Sequence, residues 1–178
     1  MTTQKPTASE IERAIRNVAD FPKPGIQFKD ITPVLADARL FNGCIDLLIA
    51  GFKPGDVDAV VGIDARGFIF AAAAAVKLEA GFVPVRKKGK LPYQTHEQSY
   101  ELEYGSATVA MHVDALQPGS RVLLIDDLLA TGGTAAAAVA LVEKLGGKIL
   151  ESSFLIELKF LEGRKRLTGQ PVRSIVAY

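Results

Sequence analysis

The chain has 178 residues, of which 48% are hydrophobic and 23% charged, as is typical of one globular domain with its own core. The formal net charge of +1 gives no electrostatic reason to expect nucleic acid as the main partner. Its apolar runs are shorter than the roughly 18 residues of a transmembrane helix, the N-terminal residues lack the apolar centre of a secretory signal, and one cysteine suits a cytoplasmic protein without a disulfide.

The first quarter of the chain has helical patterns that flank an irregular segment. Ser9 and Glu12 form a capping-box pattern at the start of one helix. Asp37 can cap a second helix that continues through Leu48, with Cys44 in its core-facing pattern. Between the two helices, the segment DFPKPGIQFKDITPVL contains three prolines, which exclude long regular structure.

The remaining segments alternate between strand and helix patterns. QSYELEYG and SATVAMHV have a two-residue period around Gly105 and predict a β-hairpin, whereas FLEGRKRLTG predicts a short basic helix. The other strands are DAVVGI, FVPVR, RVLLIDD, GKILESSFLIEL and VRSIVAY, and the long helices are GFIFAAAAAVKLEAG and AAAAVALVEKLGG. This alternation predicts an α/β fold with a mostly parallel sheet and helices on both faces.

The segment VLLIDDLLATGGT, from Val122 to Thr134, predicts a phosphate site. An apolar strand ends in Asp126 and Asp127, and a turn of small residues then opens into a helix, whose free N–H groups attract an anion. Two carboxylates beside an anion site suit a sugar phosphate. The segment matches neither a Walker A loop nor a dinucleotide fingerprint. The alternative is an ordinary turn in which Gly132 and Gly133 only adopt unusual φ angles.

Two further loops are expected at the same edge of the sheet. DARG, residues 64–67, follows the DAVVGI strand, and RKKGK, residues 86–90, leaves the FVPVR strand. In open α/β sheets, ligands bind at the carboxyl ends of the strands. The three loops together predict a ligand with phosphates at both ends, although a basic run such as RKKGK is by itself more typical of a solvated loop.

Five blocks resemble the adenine phosphoribosyltransferase family, which belongs to the type I phosphoribosyltransferases. They are FPKPGIQFKDITPVL, VGIDARGFIF, VRKKGKLP, SYELEYG and VLLIDDLLATGGT, and they occur in the family's order over about residues 21–134. The resemblance implies a single phosphoribosyltransferase domain over residues 1–178, with a twisted, mostly parallel sheet, flanking helices and a β-hairpin hood. It also implies a base-binding segment at about 1–35 and a flexible loop and hairpin at about 87–113.

The same resemblance implies the reaction and the phosphate-binding residues. The family converts adenine and 5-phosphoribosyl 1-pyrophosphate into AMP and pyrophosphate, with Mg²⁺ held mainly by substrate oxygens and water and not by a dedicated protein cage. Asp126 and Asp127 would hold the ribose hydroxyls and favour the cationic ribose. The 5′-phosphate would lie on Ala130, Thr131, Gly132, Gly133 and Thr134. Pyrophosphate would meet Asp64, Ala65, Arg66, Arg86, Lys87 and Lys90.

The resemblance has a further implication for three of these cations. Members of the family are homodimers, and the residues that match Arg86 and Lys87 reach the pyrophosphate of the neighbouring subunit. Lys90 would begin a mobile cover that closes over the site and excludes water.

The purine end is less fully determined by the residues. Strand alternation puts Glu101 and Glu103 on one face, which does not choose between them. The resemblance assigns the catalytic role to Glu103, beside N7 of the purine, with Tyr104 near the reacting groups. It places adenine against Phe28, with the main chain of Gln27 and Lys29 reading the base edge and Leu128 lining the pocket. Phe28 could instead be a core residue, and many relatives have Arg in place of Lys29.

Two other functions remain open from the sequence. The same ribose-phosphate residues would serve a transferase for hypoxanthine, guanine or xanthine. A regulatory protein on this fold would sense phosphoribosyl pyrophosphate and bind nucleic acid, which would call for a basic face that this nearly neutral chain does not suggest.

Overall fold

The computed structural model describes residues 4–101 and 105–178. The chain divides into two compact units, one ending at Leu47 and the other running from Leu48 to Tyr178.

Short elements make up the first unit. They are α1 Ala8–Ala14, β1 Arg16–Ala19, β2 Gln27–Asp30, α2 Thr32–Ala36 and α3 Ala38–Leu48, whose last residue belongs to the second unit. The capping box of α1 uses Thr7 and Glu10, so the prediction of Ser9 and Glu12 was wrong by two residues. The predicted cap of α3 is confirmed, because the Asp37 carboxylate accepts the N–H groups of Arg39 and Leu40 at 2.8 and 2.9 Å.

A small antiparallel hairpin, which the sequence did not predict, begins just before the irregular segment and extends into it. Its strands β1 and β2 pair Asn17 with Lys29 and Val18 with Phe28. The connection turns at Asp20 and Gly25, both with positive φ, and the Asp20 carboxylate accepts the Gly25 N–H at 2.7 Å. Four-residue strands with mixed polarity leave too little periodicity to be recognised.

The second unit is built on a seven-stranded sheet in the order β5-β6-β4-β3-β7-β8-β9. Strands β4, β3, β7, β8 and β9 are parallel, and β6 and β5 form an antiparallel hairpin beside β4. The bounds are β3 Ala59–Ile63, α4 Gly67–Leu78, β4 Gly81–Lys87, β5 Thr95–Glu101, β6 Ser106–His112, β7 Arg121–Leu129, α5 Gly133–Lys144, β8 Lys148–Glu157 and β9 Val172–Ala177. The predicted α/β fold and its hairpin are confirmed.

Alternate residues of β3 face the two long helices. Val61 and Ile63 belong to a buried cluster with residues of α5, whereas a Cβ atom on Gly62 would lie 2.7 Å from Cβ of Ala71 in α4. Gly62 therefore allows α4 to approach the sheet closely. The crossover helices lie on opposite faces, so the strand order reverses between β3 and β7, which is where ligands bind in sheets of this kind.

The C-terminal basic segment differs from the predicted short helix. It forms two 3₁₀ helices, Lys159–Leu161 and Gly163–Arg166, separated by Glu162. Glu162 has a φ of +53°, which an α-helix cannot accommodate. Across the described ranges, every helix is too short or too polar to cross a bilayer.

Candidate active site

Three sequence-predicted loops do meet at one edge of the sheet. Strands β4, β3 and β7 are neighbours and parallel, with Ile63 paired to Val85 and Gly62 paired to Ile125. Their carboxyl ends therefore release the loops at residues 64–67, 88–90 and 130–132 side by side. The predicted convergence of these loops is confirmed.

An ion pair joins the loop after β3 to strand β7, which continues to Leu129, two residues beyond the aspartates at which the sequence predicted its end. Nη2 of Arg66 lies 2.8 Å from Oδ2 of Asp127, across the point where the strand order reverses. Gly67 allows this approach, because a Cβ atom there would lie 2.5 Å from Oδ1 of Asp126. The Asp64–Ala65 peptide in the same loop is cis. The sequence placed Arg66 and Asp127 in one site but did not predict that they touch.

The two aspartates share an electrostatically costly position. Asp127 is only 6% exposed, and its N–H donates to Oδ1 of Asp126 at 2.8 Å. Burial raises the pKa of both carboxyls, and the neighbouring Asp127 charge raises that of Asp126 further. Arg66 opposes the shift at Asp127, so Asp127 holds its charge more firmly than Asp126. A positively charged ligand at this position would be favoured by the two carboxylates.

The turn that follows β7 forms an open cradle at the start of α5. Gly132 precedes the helix with a φ of +81°, and its side-chain-free backbone leaves the first N–H groups of α5 without a side-chain cap. Leu128, which was predicted to line the base pocket, borders the cavity at this turn. This open cavity is bounded by Asp126, Leu128, Leu129, Ala130, Thr131, Gly132, Gly133, Thr134 and Ala135.

Gly163, which the sequence did not predict as a site residue, lies against this cradle. A Cβ atom on Gly132 would collide with the carbonyl oxygen of Gly163, and a Cβ on Gly163 would collide with that of Ala130. Gly163 opens the second 3₁₀ helix of the basic segment. Its signal in the sequence was weak, because a single glycine in a basic segment also fits a simple turn.

The basic residues of the β4 loop have partners within the chain. Arg86 donates to Oδ2 of Asp64 at 3.3 Å and to the carbonyl of Lys90 at 2.9 Å. Lys88 is exposed, and its Nζ lies 2.7 Å from Oε2 of Glu97. Arg86 thus lies beside the β3 loop, and Lys87 ends β4 next to it.

The hairpin approaches the same helix terminus. A Cβ atom on Gly133 would lie 3.0 Å from Cδ2 of Tyr100 and 3.6 Å from the carbonyl oxygen of Glu101, where the described part of β5 ends. Glu103 and Tyr104, predicted as catalytic residues, lie outside the described residues. Of the predicted pair of glutamates, Glu101 is exposed.

The predicted base-binding residues belong to β2 in the first unit. Phe28 makes an edge-to-face contact with Phe21 at a centroid distance of 5.1 Å, and Nζ of Lys29 donates to Oδ1 of Asn17 at 2.6 Å. Gln27 and Lys29 are two residues apart on a strand with one neighbour, so their main-chain groups point in the same direction. Their role in adenine binding stays a prediction.

Metal ligands do not gather in the described residues. Over 4–101 and 105–178, the structure has no group of three or more His, Cys, Asp or Glu side chains that could hold a metal ion. The acidic pair Asp126 and Asp127 offers carboxylate oxygens, which are suitable for Mg²⁺, beside the phosphate cradle. These donors fit a magnesium ion that arrives on phosphate oxygens.

Comparisons with known proteins agree with this geometry. A family model described as "Phosphoribosyl transferase domain" matches residues 35–173. The adenine phosphoribosyltransferase of Acidothermus cellulolyticus is 58% identical over 162 residues, which cover 91% of this chain and 92% of that protein. A crystal structure of the Rhodothermus marinus adenine phosphoribosyltransferase has a TM-score of 0.91 and 53% identity, covering 96% and 98% of the two chains.

A third relative was solved with ligands. The Saccharomyces cerevisiae adenine phosphoribosyltransferase, complexed with an imino-altritol bisphosphate and adenine, has a TM-score of 0.89 and 41% identity. The alignment covers 94% of this chain and 97% of the yeast chain.

Proposed function

This chain belongs to the adenine phosphoribosyltransferase family, and on that basis we propose that it salvages adenine by transferring a 5-phosphoribosyl group to it. The reaction converts adenine and phosphoribosyl pyrophosphate into AMP and pyrophosphate. One observation carries the assignment of the site: Arg66 and Asp127 pair at 2.8 Å beside the open cradle before α5. This arrangement would bind pyrophosphate at Arg66, the ribose hydroxyls at Asp127 and a 5′-phosphate in the cradle.

The ribose end of the reaction follows from the cradle and the aspartates. N–H groups at the start of α5 and the hydroxyls of Thr131 and Thr134 would bind the 5′-phosphate. As the anomeric C–O bond breaks, its electron pair leaves with pyrophosphate and the ribose becomes cationic. Asp126 and Asp127 would accept hydrogen bonds from the ribose hydroxyls, and their negative charge would stabilise that cation.

The loop after β3 would bind the departing pyrophosphate. Arg66 has five N–H donors in a planar fork, so it can hold Asp127 and a phosphate oxygen at the same time. Asp64 and Ala65 would contribute main-chain groups beside it. Lys90, whose carbonyl already accepts from Arg86, would begin a cover that keeps water from the activated ribose.

The purine end rests on the sequence resemblance. N9 of adenine forms the new bond to the anomeric carbon, and the purine must lose a proton to become neutral again. Glu103 would orient the base near N7 and manage that proton, with Tyr104 close by. Phe28 would stack on adenine, the main chain of Gln27 and Lys29 would read its edge, and Leu128 would line the pocket.

Magnesium is proposed to enter with the substrate. Carboxylate oxygens at Asp126 and Asp127 suit Mg²⁺, which keeps several waters and prefers phosphate oxygens to an all-protein cage. When bound, the ion would neutralise charge on the pyrophosphate. Titrating Mg²⁺ should therefore change the affinity for phosphoribosyl pyrophosphate and leave the unfolding temperature of the free protein unchanged.

A homodimer in the cytoplasm is the proposed working form. Ile69, Ala72 and Val76 lie at helical spacing on one exposed face of α4, with Ile69 40% and Val76 79% exposed. Phe82, at the start of β4, is also exposed. A second copy would cover this apolar face and place Arg86 and Lys87 near the neighbouring site. Cys44, the chain's one cysteine, is buried and suits a reducing compartment.

The decisive assay uses purified protein with adenine, phosphoribosyl pyrophosphate and Mg²⁺. AMP and pyrophosphate should form in equal amounts, and hypoxanthine, guanine and xanthine should be poor substrates in parallel reactions. Rapid turnover of guanine with none of adenine would overturn the substrate assignment while leaving the ribose-phosphate site in place.

A further inference from the structure

We propose that Arg164 is a positioning residue for the 5′-phosphate cradle: paired with buried Glu157, it holds Gly163 against Ala130 and Gly132. The inference rests on the proposed function, because it concerns how the cradle of that site keeps its shape. Arg164 does not line the cradle cavity, so its effect must pass through the main chain of the neighbouring Gly163.

The contact between Gly163 and the cradle is between two stretches of backbone. A Cβ atom on Gly163 would lie 3.0 Å from the amide nitrogen of Gly132 and would collide with the carbonyl oxygen of Ala130. In the opposite direction, the carbonyl group of Gly163 occupies the space that a Cβ on Gly132 would need. Because the two backbones pack this closely, a shift of Gly163 would also displace Ala130 and Gly132.

Arg164 ties Gly163 to the sheet through a dense set of hydrogen bonds. Its guanidinium donates from Nε and Nη2 to the two oxygens of Glu157 at 2.7 and 2.8 Å. It also donates to the carbonyl of Val172 at 2.7 Å and to Oγ of Ser174 at 2.9 Å. The Ser174 hydroxyl in turn donates to Glu157 at 2.6 Å.

Glu157 is a firm anchor because of where it lies. It ends β8 and is only 3% exposed, and the arginine holds its pKa below the usual value despite that burial. Next to it, the N–H of Leu158 donates to the carbonyl of Leu129 at 2.9 Å, one residue before Ala130. Glu157 and the cradle therefore lie at the carboxyl ends of two neighbouring strands, β8 and β7.

Phosphate binding by backbone N–H groups depends on their direction. Small displacements of a binding group cost much more than its bond energy suggests, because several N–H groups must point at the same anion. A cradle with glycine at its centre has no side chain of its own to limit its backbone angles. The Arg164–Glu157 pair supplies that restraint from outside the cavity.

The chain contains a matched control for this pair. Arg173 in β9 donates to Glu151 in β8 at 2.7 and 3.1 Å and to the carbonyl of Ala50 at 2.8 Å. It is thus a second bidentate arginine–glutamate pair on β8, with its glutamate six residues before Glu157, but its arginine lies in β9 and not in the 3₁₀ helix beside the cradle. Neither residue lines the cradle cavity.

The experiment compares Arg164→Lys with Arg173→Lys. Lysine keeps the charge but loses the planar fork, so both variants should unfold at a somewhat lower temperature than the parent. Only Arg164→Lys should raise the KM for phosphoribosyl pyrophosphate, by about tenfold, and weaken ribose 5-phosphate binding in calorimetry to a similar degree. Its kcat at saturating substrate and its KM for adenine should change less than about threefold.

A second variant keeps the inference testable if Arg164→Lys does not fold. Gly163→Ala leaves the ion pair in place but pushes on Ala130, and it should weaken ribose 5-phosphate binding in the same way. Unchanged ribose 5-phosphate affinity in a folded Arg164→Lys or Gly163→Ala protein would overturn the inference, as would equal losses in Arg173→Lys. Because ribose 5-phosphate binding needs no adenine, a parent protein that binds it but makes no AMP refutes the proposed substrate and not this inference.

Discussion

At the scale of single residues, the two aspartates near the carboxyl end of β7 differ in how their charges are compensated. Asp127 faces Arg66 at 2.8 Å, whereas Asp126 accepts the Asp127 N–H and lies against Gly67. Burial raises the pKa of both groups. A raised carboxyl pKa means that the folded chain loses stability as pH rises above the reference value of 3.8. The two buried carboxylates therefore lower the stability of the folded chain at neutral pH.

Replacing Asp126 should consequently stabilise the folded protein. Asp126→Asn keeps an oxygen for the Asp127 N–H and removes the buried charge. A pKa higher by one corresponds to about 1.4 kcal/mol, and a chain of this size gains about 2–4 °C in Tm per kcal/mol. We expect Tm to rise by several degrees at pH 7 and activity to fall sharply.

Calorimetric scans at several pH values check this prediction. The gain in Tm should shrink as pH falls and vanish below about pH 4, where Asp126 is protonated in both folded and unfolded chains. Asp127→Asn is the control: it removes the carboxylate that pairs with Arg66 at 2.8 Å, so an equal rise in Tm for that variant would contradict the interpretation.

The choice between the two hairpin glutamates is a second residue-scale prediction. Glu103→Leu should lower kcat by about 10²-fold or more, as expected for loss of a general acid–base group. Glu101→Leu, at an exposed strand position, should lower it less than about threefold. Steady-state kinetics with adenine varied at saturating phosphoribosyl pyrophosphate measure both, and equal losses would refute the assignment to Glu103.

At the scale of elements, the cradle combines a predicted turn with an unpredicted support. The sequence placed Ala130 to Thr134 at a helix start because a strand pattern and two glycines precede an alanine-rich helix. It could not place Gly163, which is separated from the cradle by some thirty residues. Local pattern thus predicts each turn, but the contact between two turns depends on packing that no single segment encodes.

The same limit explains the other differences from the sequence analysis. Capping of α3 by Asp37 was predictable because it involves neighbouring residues, while β1 and β2 are too short for a clear period. The pattern of the basic segment predicted one helix, but Glu162 has a φ of +53° and divides the segment into two 3₁₀ helices. The Arg66–Asp127 pair joins the loop after β3 to strand β7, and only the strand order brings these two segments together.

Gly132→Ala tests the cradle at this scale, with Gly119→Ala as its control. Both glycines have a φ above +80°, but only the Gly132 position meets another backbone; Gly119 has open space around it. Gly119→Ala should cost about 1–2 kcal/mol for the left-handed conformation. Gly132→Ala should cost at least about 1 kcal/mol more and should reduce ribose 5-phosphate affinity. Urea unfolding and calorimetry measure the two effects, and identical losses would argue against the backbone contact.

At the scale of the whole molecule, the exposed apolar face of α4 is the feature that calls for a partner. Val76 is 79% exposed, so Val76→Asp should leave the folding of one chain unaffected. If a second copy covers this face, the charge should shift the mass measured by sedimentation from dimer to monomer. Phe160→Asp, at another exposed apolar position (72%), should leave the mass unchanged.

Subunit mixing tests whether the dimer shares its sites. Arg86→Ala and Glu103→Leu proteins should each be nearly inactive. In their heterodimer, one site would combine an intact Glu103 with an intact Arg86 from the neighbour. Since half of the randomly mixed dimers are heterodimers, about a quarter of the parent activity should return. No recovery in confirmed heterodimers would assign Arg86 to its own site, where Asp64 already binds it.

The backbone contact between Gly163 and the cradle also sets an order of events during synthesis. Ribosomes release the cradle residues well before Gly163 and Arg164 emerge, since chains grow from the N-terminus. A nascent chain that ends before Arg164 contains every residue that would touch the 5′-phosphate, yet lacks the support behind them. The capacity to bind substrate would then arise only after the support behind the cradle has been made, and a chain that stops short of Arg164 would not sequester phosphoribosyl pyrophosphate.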